Sequence, residues 1–280
     1  ALISKHFSGW KPKSPAVPDP DFGKPDPAAP TTLIVSEPGV PLAMMMSIFR
    51  PWEVKADTIA YNQGKLIDIV ATNIINRRLE RRARAGGSFL LAQVERDDVS
   101  RTANQTQVTI QPLGNDWQKA LTDVRAVIAD AVAQPATQAE IDRDAGEYFA
   151  ALQVQVETER TRSAAQLADE VLSAVNIRET VATAQVASEV FGGIRGKITP
   201  AMILDSTRRL FEGTPPRVML MTPTPIPDGD KLLATALTAP VVAQQGAQDQ
   251  TPVSFDQLPK LGAPSTVTAE SKIDRYDTDI

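Results

Sequence analysis

Apolar and polar positions follow a clear order along the middle of the chain. Residues 31–36 (TTLIVS) are β-branched and apolar between Pro30 and the Pro38-Gly39 breaker, which predicts a strand. Residues 42–50 (LAMMMSIFR) are apolar almost throughout, as in a buried strand. With Asp57 read as its cap, a helix follows to about Ala85. Its apolar positions Ile59, Leu66, Ile67, Val70, Ile74, Ile75 and Leu79 keep to one face. Gly86-Gly87 stops it, because a helix commonly ends in a left-handed residue that glycine adopts freely. Residues 88–96 (SFLLAQVER) and 102–112 (TANQTQVTIQP) predict two strands joined by a polar turn at Asp97-Asp98. The second alternates polar and β-branched residues and is expected to be half exposed.

From Asn115 the pattern turns helical. Asn115 with Gln118 resembles a capping box, and Trp117, Leu121, Val124, Ile128 and Val132 form a stripe that Pro135 ends. Thr137 with Glu140 is a second capping box, opening a helix with the stripe Ile141, Ala145, Tyr148, Phe149 and Leu152. Residues 163–175 and 180–191 predict shorter alanine-rich helices, which Gly192-Gly193 and Gly196 separate from a last one. Thr199 caps that last helix, with Pro200 at its first position. Residues 217–221 (RVMLM) predict a closing strand. Beyond Pro223 the periodicity fades, as in a linker.

Strand pairs flanking a helix, then several helices and a strand, predict an α+β fold: a mostly antiparallel sheet with helices packed on one face. The domain is placed at 31–222. Residues 1–30 are read as the end of a preceding domain plus a linker, and 223–280 as a linker or extended tail. Pro12, Pro15, Pro18, Pro20, Pro25, Pro27 and Pro30 make the first linker an extended or covering arm. The opening ALISKHFSGW, without an initiator Met, looks like a helix tail and turn, so the chain is read as a fragment of a longer one.

Composition narrows the chemistry. At 280 residues with 42% hydrophobic content, the chain has material for a core, and its net charge of -5 argues against a general polyanion binder. No cysteine is present, so neither a disulfide nor a thiolate metal site is available. No apolar run approaches the roughly 18 residues of a membrane span. The one histidine, His6, lacks the ligand partners of a zinc site and the partners of a nucleophilic pair. Gly192–Lys197 lacks the GxxxxGK[ST] spacing of a phosphate loop. The acids Asp97, Asp98, Asp142 and Asp144 fall in a turn and on an exposed face, where carboxylates are solvated. The Met44-Met45-Met46 triplet could line an adaptable peptide surface or hold copper, but without nearby His or Cys it reads as core. The sharpest local signal is Arg77, Arg78, Arg81, Arg82 and Arg84. Without interleaved aromatics it is a weak nucleic-acid patch, and the helix macrodipole already favours cations there.

These elements resemble the second, non-zinc domain of the pitrilysin/insulinase-type metallopeptidases, the inverzincins that include the processing peptidases. ALISKHFSGW looks like that family's hydrophobic-Phe-x-x-Trp ending of the first domain. NRRLERRARAGGSFLLAQV looks like its Asn-x-Arg-Leu, polar turn and strand beginning with Phe or Tyr. The resemblance covers about residues 1–222. It implies a non-catalytic, substrate-enclosing domain of a zinc-dependent peptidase, with zinc in the preceding domain and no cofactor, metal ligand or catalytic residue in this chain. The HxxEH motif is absent from this sequence, so the chain alone is expected to be inactive. Such domains partner the other domains or a partner subunit of the same peptidase and its peptide substrate. A periplasmic or secreted bacterial parent is expected. The alternative is a catalytically inactive partner subunit or peptide-binding module. In the matching domain of the other half, an arginine and a tyrosine seven residues apart help hold substrate. Arg82 and Phe89 have that spacing here. Phenylalanine lacks the hydroxyl, which favours the second domain of the zinc-bearing half.

Overall fold

Alternation along the second strand decides the layers. In this computed structural model, which describes residues 2–11, 13–15 and 18–243, β2 (Ala43–Pro51) buries Met44, Met46 and Ile48. It leaves Ala43, Met45, Ser47 and Phe49 half-buried on the other face. The neighbours keep the phase: Met44 stands opposite Leu220 and Ile110, and Met46 opposite Val218 and Val108. One face therefore carries the core.

The sheet has five strands in the order β1-β5-β2-β4-β3. The others are β1 (Thr32–Ser36), β3 (Phe89–Val99), β4 (Ala103–Pro112) and β5 (Arg217–Thr222). Only β1 and β5 run parallel; the other three pairings are antiparallel. Eight α-helices accompany them among the described residues: α1 (Leu2–Phe7), α2 (Ile59–Arg84), α3 (Trp117–Ala133), α4 (Gln138–Thr158), α5 (Ala164–Asn176), α6 (Ala184–Arg195), α7 (Pro200–Phe211) and α8 (Gly229–Thr238). The fold class is α+β.

Helix α2 crosses the buried face with Val70, Ala71, Ile74, Ile75 and Leu79 turned inward. Its Asn76 reaches the edge strand β3, donating to Val94 O at 3.0 Å and accepting from Val94 N–H at 2.7 Å. A side-chain amide thus replaces the missing strand partner at one point of an open edge. Helix α6 packs on α4 through an aromatic group. Phe191 stands edge-on to Tyr148, and Arg195 lies over the Phe149 ring at 4.7 Å.

Five expectations change. Thr58, not Asp57, caps α2, its Oγ accepting the Tyr61 N–H at 3.2 Å. Asp116, not Asn115, caps α3. The β3–β4 turn is not at Asp97-Asp98. Both strands continue to a tight turn at Ser100 and Arg101, whose φ angles are 43° and 60°, closed by Thr102 N–H to Val99 O at 2.8 Å. That primed turn normally advertises itself through Asn or Gly. Gly192 and Gly193 lie inside α6, where packing of Phe191 outweighs their cost of about 1 kcal/mol each. Finally, residues 229–238 are not linker. They form α8, which packs against β1, β5 and α3 with Leu233 and Leu237 buried. The part of the expected 223–280 tail from 244 onward lies outside the described residues.

Leu233 is fully buried, so Leu233→Ala is expected to cost about 2–5 kcal/mol in urea unfolding. A chain ending at Pro223 is expected to lose at least as much.

Candidate functional site

The arginines of α2 divide between two partner helices. Arg78 is buried and grips Glu140 with two parallel bonds, Nε to Oε1 at 3.2 Å and Nη2 to Oε2 at 3.0 Å. Its Nη1 stands 3.5 Å from Asp130 of α3. Arg81 donates to the same Glu140 at 2.8 Å. Arg77 reaches Asp144 at 3.0 Å and also pairs with Glu147. Arg84, at the exposed end, pairs with Glu80. All of these cations meet carboxylates of their own chain, which removes the charge a nucleic acid would need.

Glu140 also completes the capping box of α4, accepting the Thr137 N–H at 3.0 Å. Burial alone would raise its pKa. The bonds from Arg78, Thr137 and Arg81 outweigh it and hold the carboxyl at about 2. Asp130 moves the other way, because burial and the nearby Glu140 charge exceed the help of Arg78.

Arg82 and Phe89 flank the corner. Gly87 N–H donates to Arg82 O at 2.9 Å and Gly86 N–H to Ala83 O at 3.2 Å, with Gly86 at φ 84°. This is the paired-bond ending that favours glycine in the left-handed position. A Cβ on Gly87 would sit 2.8 Å from Arg82 O. Asp123 of α3 clamps both sides of the turn, accepting from Arg82 Nη2 at 3.1 Å and from Ser88 N–H and Oγ at 3.1 and 2.7 Å. Burial opposes ionisation of Asp123, but the Ser88 and Arg82 bonds prevail and its pKa is lowered. Phe89 is 2% exposed and points into the core. A bulge follows it, since Phe89 pairs with Pro112 but Leu91 with Gln111. The geometry makes Arg82 and Phe89 parts of a corner, with no ring surface left to meet a substrate.

The other sequence candidates scatter. His6 is exposed on α1. Met44 and Met46 are core, while Met45 lies on the open face beside Met219. Among the described residues, no group of three or more His, Cys, Asp or Glu could hold a metal ion.

One feature escaped the sequence reading, a cleft of about 910 Å³ between the N-terminal half of α2 and the ends of β2 and β3. Arg50, Trp52, Tyr61, Lys65, Asp68 and Asp98 line it, together with residues 177 and 179. Its charges are largely spoken for. Asp68 accepts from Ser206 at 2.5 Å and Arg209 at 3.1 Å and stands 3.3 Å from Arg96. Arg50 donates to Leu210 O at 2.8 Å and Glu212 O at 3.1 Å. Burial and the neighbouring Glu179 push the Tyr61 hydroxyl up to about 12, so it stays a proton donor. Partners for these residues come from three separate stretches of chain, at 96, 179 and 206–212, which no local motif could reveal.

No family model matches the sequence, and no curated protein matches it. Solved structures do match. The first half of the periplasmic protease PqqL from Escherichia coli aligns with a TM-score of 0.68 at 12% identity, over 87% of this chain and 54% of that one. The fold is that of the pitrilysin/insulinase-type peptidases. The whole PqqL chain aligns at 0.70 and 12% identity, over 92% of this chain and 30% of that one. A predicted insulinase family protease from Yersinia pestis gives 0.62 at 16% identity, over 85% and 52%. The chain thus spans about half of the PqqL first-half structure, and 30% of the whole protease.

The Arg78–Glu140 pair carries the first charge prediction. Glu140→Gln is expected to cost about 3–5 kcal/mol at neutral pH, because it strands a buried arginine. The folded pKa of Glu140 lies below the usual carboxylate value. Its contribution is therefore complete above about pH 4.5 and is lost as pH falls toward about 2. Asp130, whose folded pKa is raised, partly offsets this loss. Urea unfolding between neutral and acid pH should show the acid loss in the native chain and a flatter profile in Glu140→Gln.

Proposed function

We propose that this chain is a structural, substrate-enclosing domain of a zinc-dependent metallopeptidase, without a catalytic centre of its own. The observation that carries the reading is the match of one α+β unit to about half of a half-peptidase. The sequence supports it: one histidine, no cysteine and no HxxEH string. In this reading zinc belongs to a preceding domain, and the chain's partners are the other domains or a partner subunit of the same peptidase, together with its peptide substrate. The chain takes the place of the second domain in the zinc-bearing half, where Phe89 closes a corner and does not hold substrate. A periplasmic setting is proposed by analogy with PqqL, which is described as a periplasmic protease.

A second reading, an inactive partner that binds peptide, draws on the open face of the sheet. Leu33, Met219 and Met45 are laid side by side across β1, β5 and β2 on that face. Leu33 is 55% exposed and the two methionines half-buried. Methionine side chains adapt to varied apolar partners. An HxxEH motif encoded upstream of Ala1 would support the first reading, and a degenerate motif the second.

The purified chain, supplied with zinc, is expected to cleave no fluorogenic peptide and to bind the metal no better than millimolar in calorimetry. Micromolar zinc affinity together with peptide hydrolysis would overturn both readings.

A further inference from the structure

Helix α5 has every local reason to form and almost nothing to rest on. Ser163 and Gln166 close a capping box, each backbone N–H meeting the other side chain at 3.2 Å. Yet none of its side chains is buried. Leu167, Val171, Leu172 and Val175 are 41%, 44%, 67% and 62% exposed. The helix is amphipathic, and its larger apolar side chains all stay exposed.

What holds the segment lies at its C-terminal end and is polar. Arg101, at the β3–β4 turn, donates to Asn176 O and stands 3.1 Å from Asp19. Arg178 pairs with the same Asp19. Asp57 Oδ2 accepts the Thr180 N–H at 2.7 Å. Glu179 takes Lys65 of α2 as its ion partner and accepts the Tyr61 hydroxyl at 3.3 Å. Residues 177 and 179 are among those that line the 910 Å³ cleft and so form part of its wall. The only larger apolar side chain that this connection lays against the cleft is the half-buried Ile177. Arg178 itself has φ 61°, a left-handed conformation that a non-glycine residue holds only when its surroundings impose it.

A wall sealed by core packing opens only when the fold does. A wall held by partly exposed ion pairs opens locally, and more readily as salt screens those pairs. We propose that residues 163–182 are a flap over this cleft. The Lys65–Glu179, Asp57–Thr180 and Asp19–Arg178 contacts latch it, and its release opens the cleft lined by Tyr61, Lys65 and Asp98. The proposal is independent of any peptidase assignment, because it rests on this chain's own contacts.

Amide hydrogen exchange on the full chain tests it, read by mass spectrometry from about 0.01 M to about 1 M salt, where the Debye length falls from about 30 Å to about 3 Å. Peptides covering 164–182 are expected to exchange about fivefold faster or more at high salt, while those covering β2 and the core half of α2 hold steady. Glu179→Gln should reproduce that acceleration at low salt. Glu170→Gln should not, since among the described residues Glu170 pairs only with Arg162 at the near end of the segment. Exchange in 164–182 that ignores both salt and Glu179→Gln overturns the flap. So does exchange that changes only in step with β2, which would mean global loosening. The salt series on the native chain decides the matter even if a variant folds poorly.

Discussion

One carboxylate, Glu140, ties the helical layer to the helix that covers the sheet. It starts α4 by closing the capping box with Thr137, and in the same position it meets the two-pronged Arg78 of α2. Burying such a pair costs several kcal/mol per ion, and only good geometry with every lone pair used returns it. Here the Thr137 N–H and Arg81 occupy the remaining acceptor sites. The pair adds little net stability over an apolar alternative, but it fixes how α4 registers on α2. A helix slipped by one residue would leave a buried arginine without its acid.

The same helix shows why a short sequence pattern can mark a fold. In Asn76-Arg77-Arg78-Leu79, Asn76 pins the edge strand at Val94, Arg78 holds α4, and Leu79 is fully buried. Three consecutive structural tasks therefore fall on three residues within one turn. The Gly86-Gly87 corner then returns the chain into β3, and Asp123 clamps both of its sides. The arginine-rich stretch looks like a binding patch in one dimension. In three it is a joint whose charges are already satisfied.

What the sequence disclosed follows the same division. All five strands, long α2 and the capping box at Thr137 were legible, because each repeats a local pattern over many residues or sets two residues at a fixed spacing. The misses came where tertiary context overrode local chemistry. Asp97-Asp98 looks like a turn, but register with Gln105 and Asn104 carries the strand past it. Gly192-Gly193 looks like a break, but Phe191 packing carries the helix through. Helix α8 starts at Asp228 with φ 51° and no side-chain cap, so no start signal was there to read. The cleft was hidden for another reason, since it exists only where distant stretches of chain meet.

Helix α2, 26 residues long, spans about 39 Å and links two regions held by different physics. Its C-terminal half is fixed by apolar burial and by ion pairs sheltered from solvent, so salt and small displacements hardly touch it. Its first two turns, from Ile59 to Leu66, have no buried residue and face the cleft through pairs that water reaches. Local opening concentrates where few apolar contacts must be broken. The motion proposed for this domain therefore belongs at the Tyr61–Lys65 end of α2. The arginine joint at the other end is the fixed point against which that motion occurs.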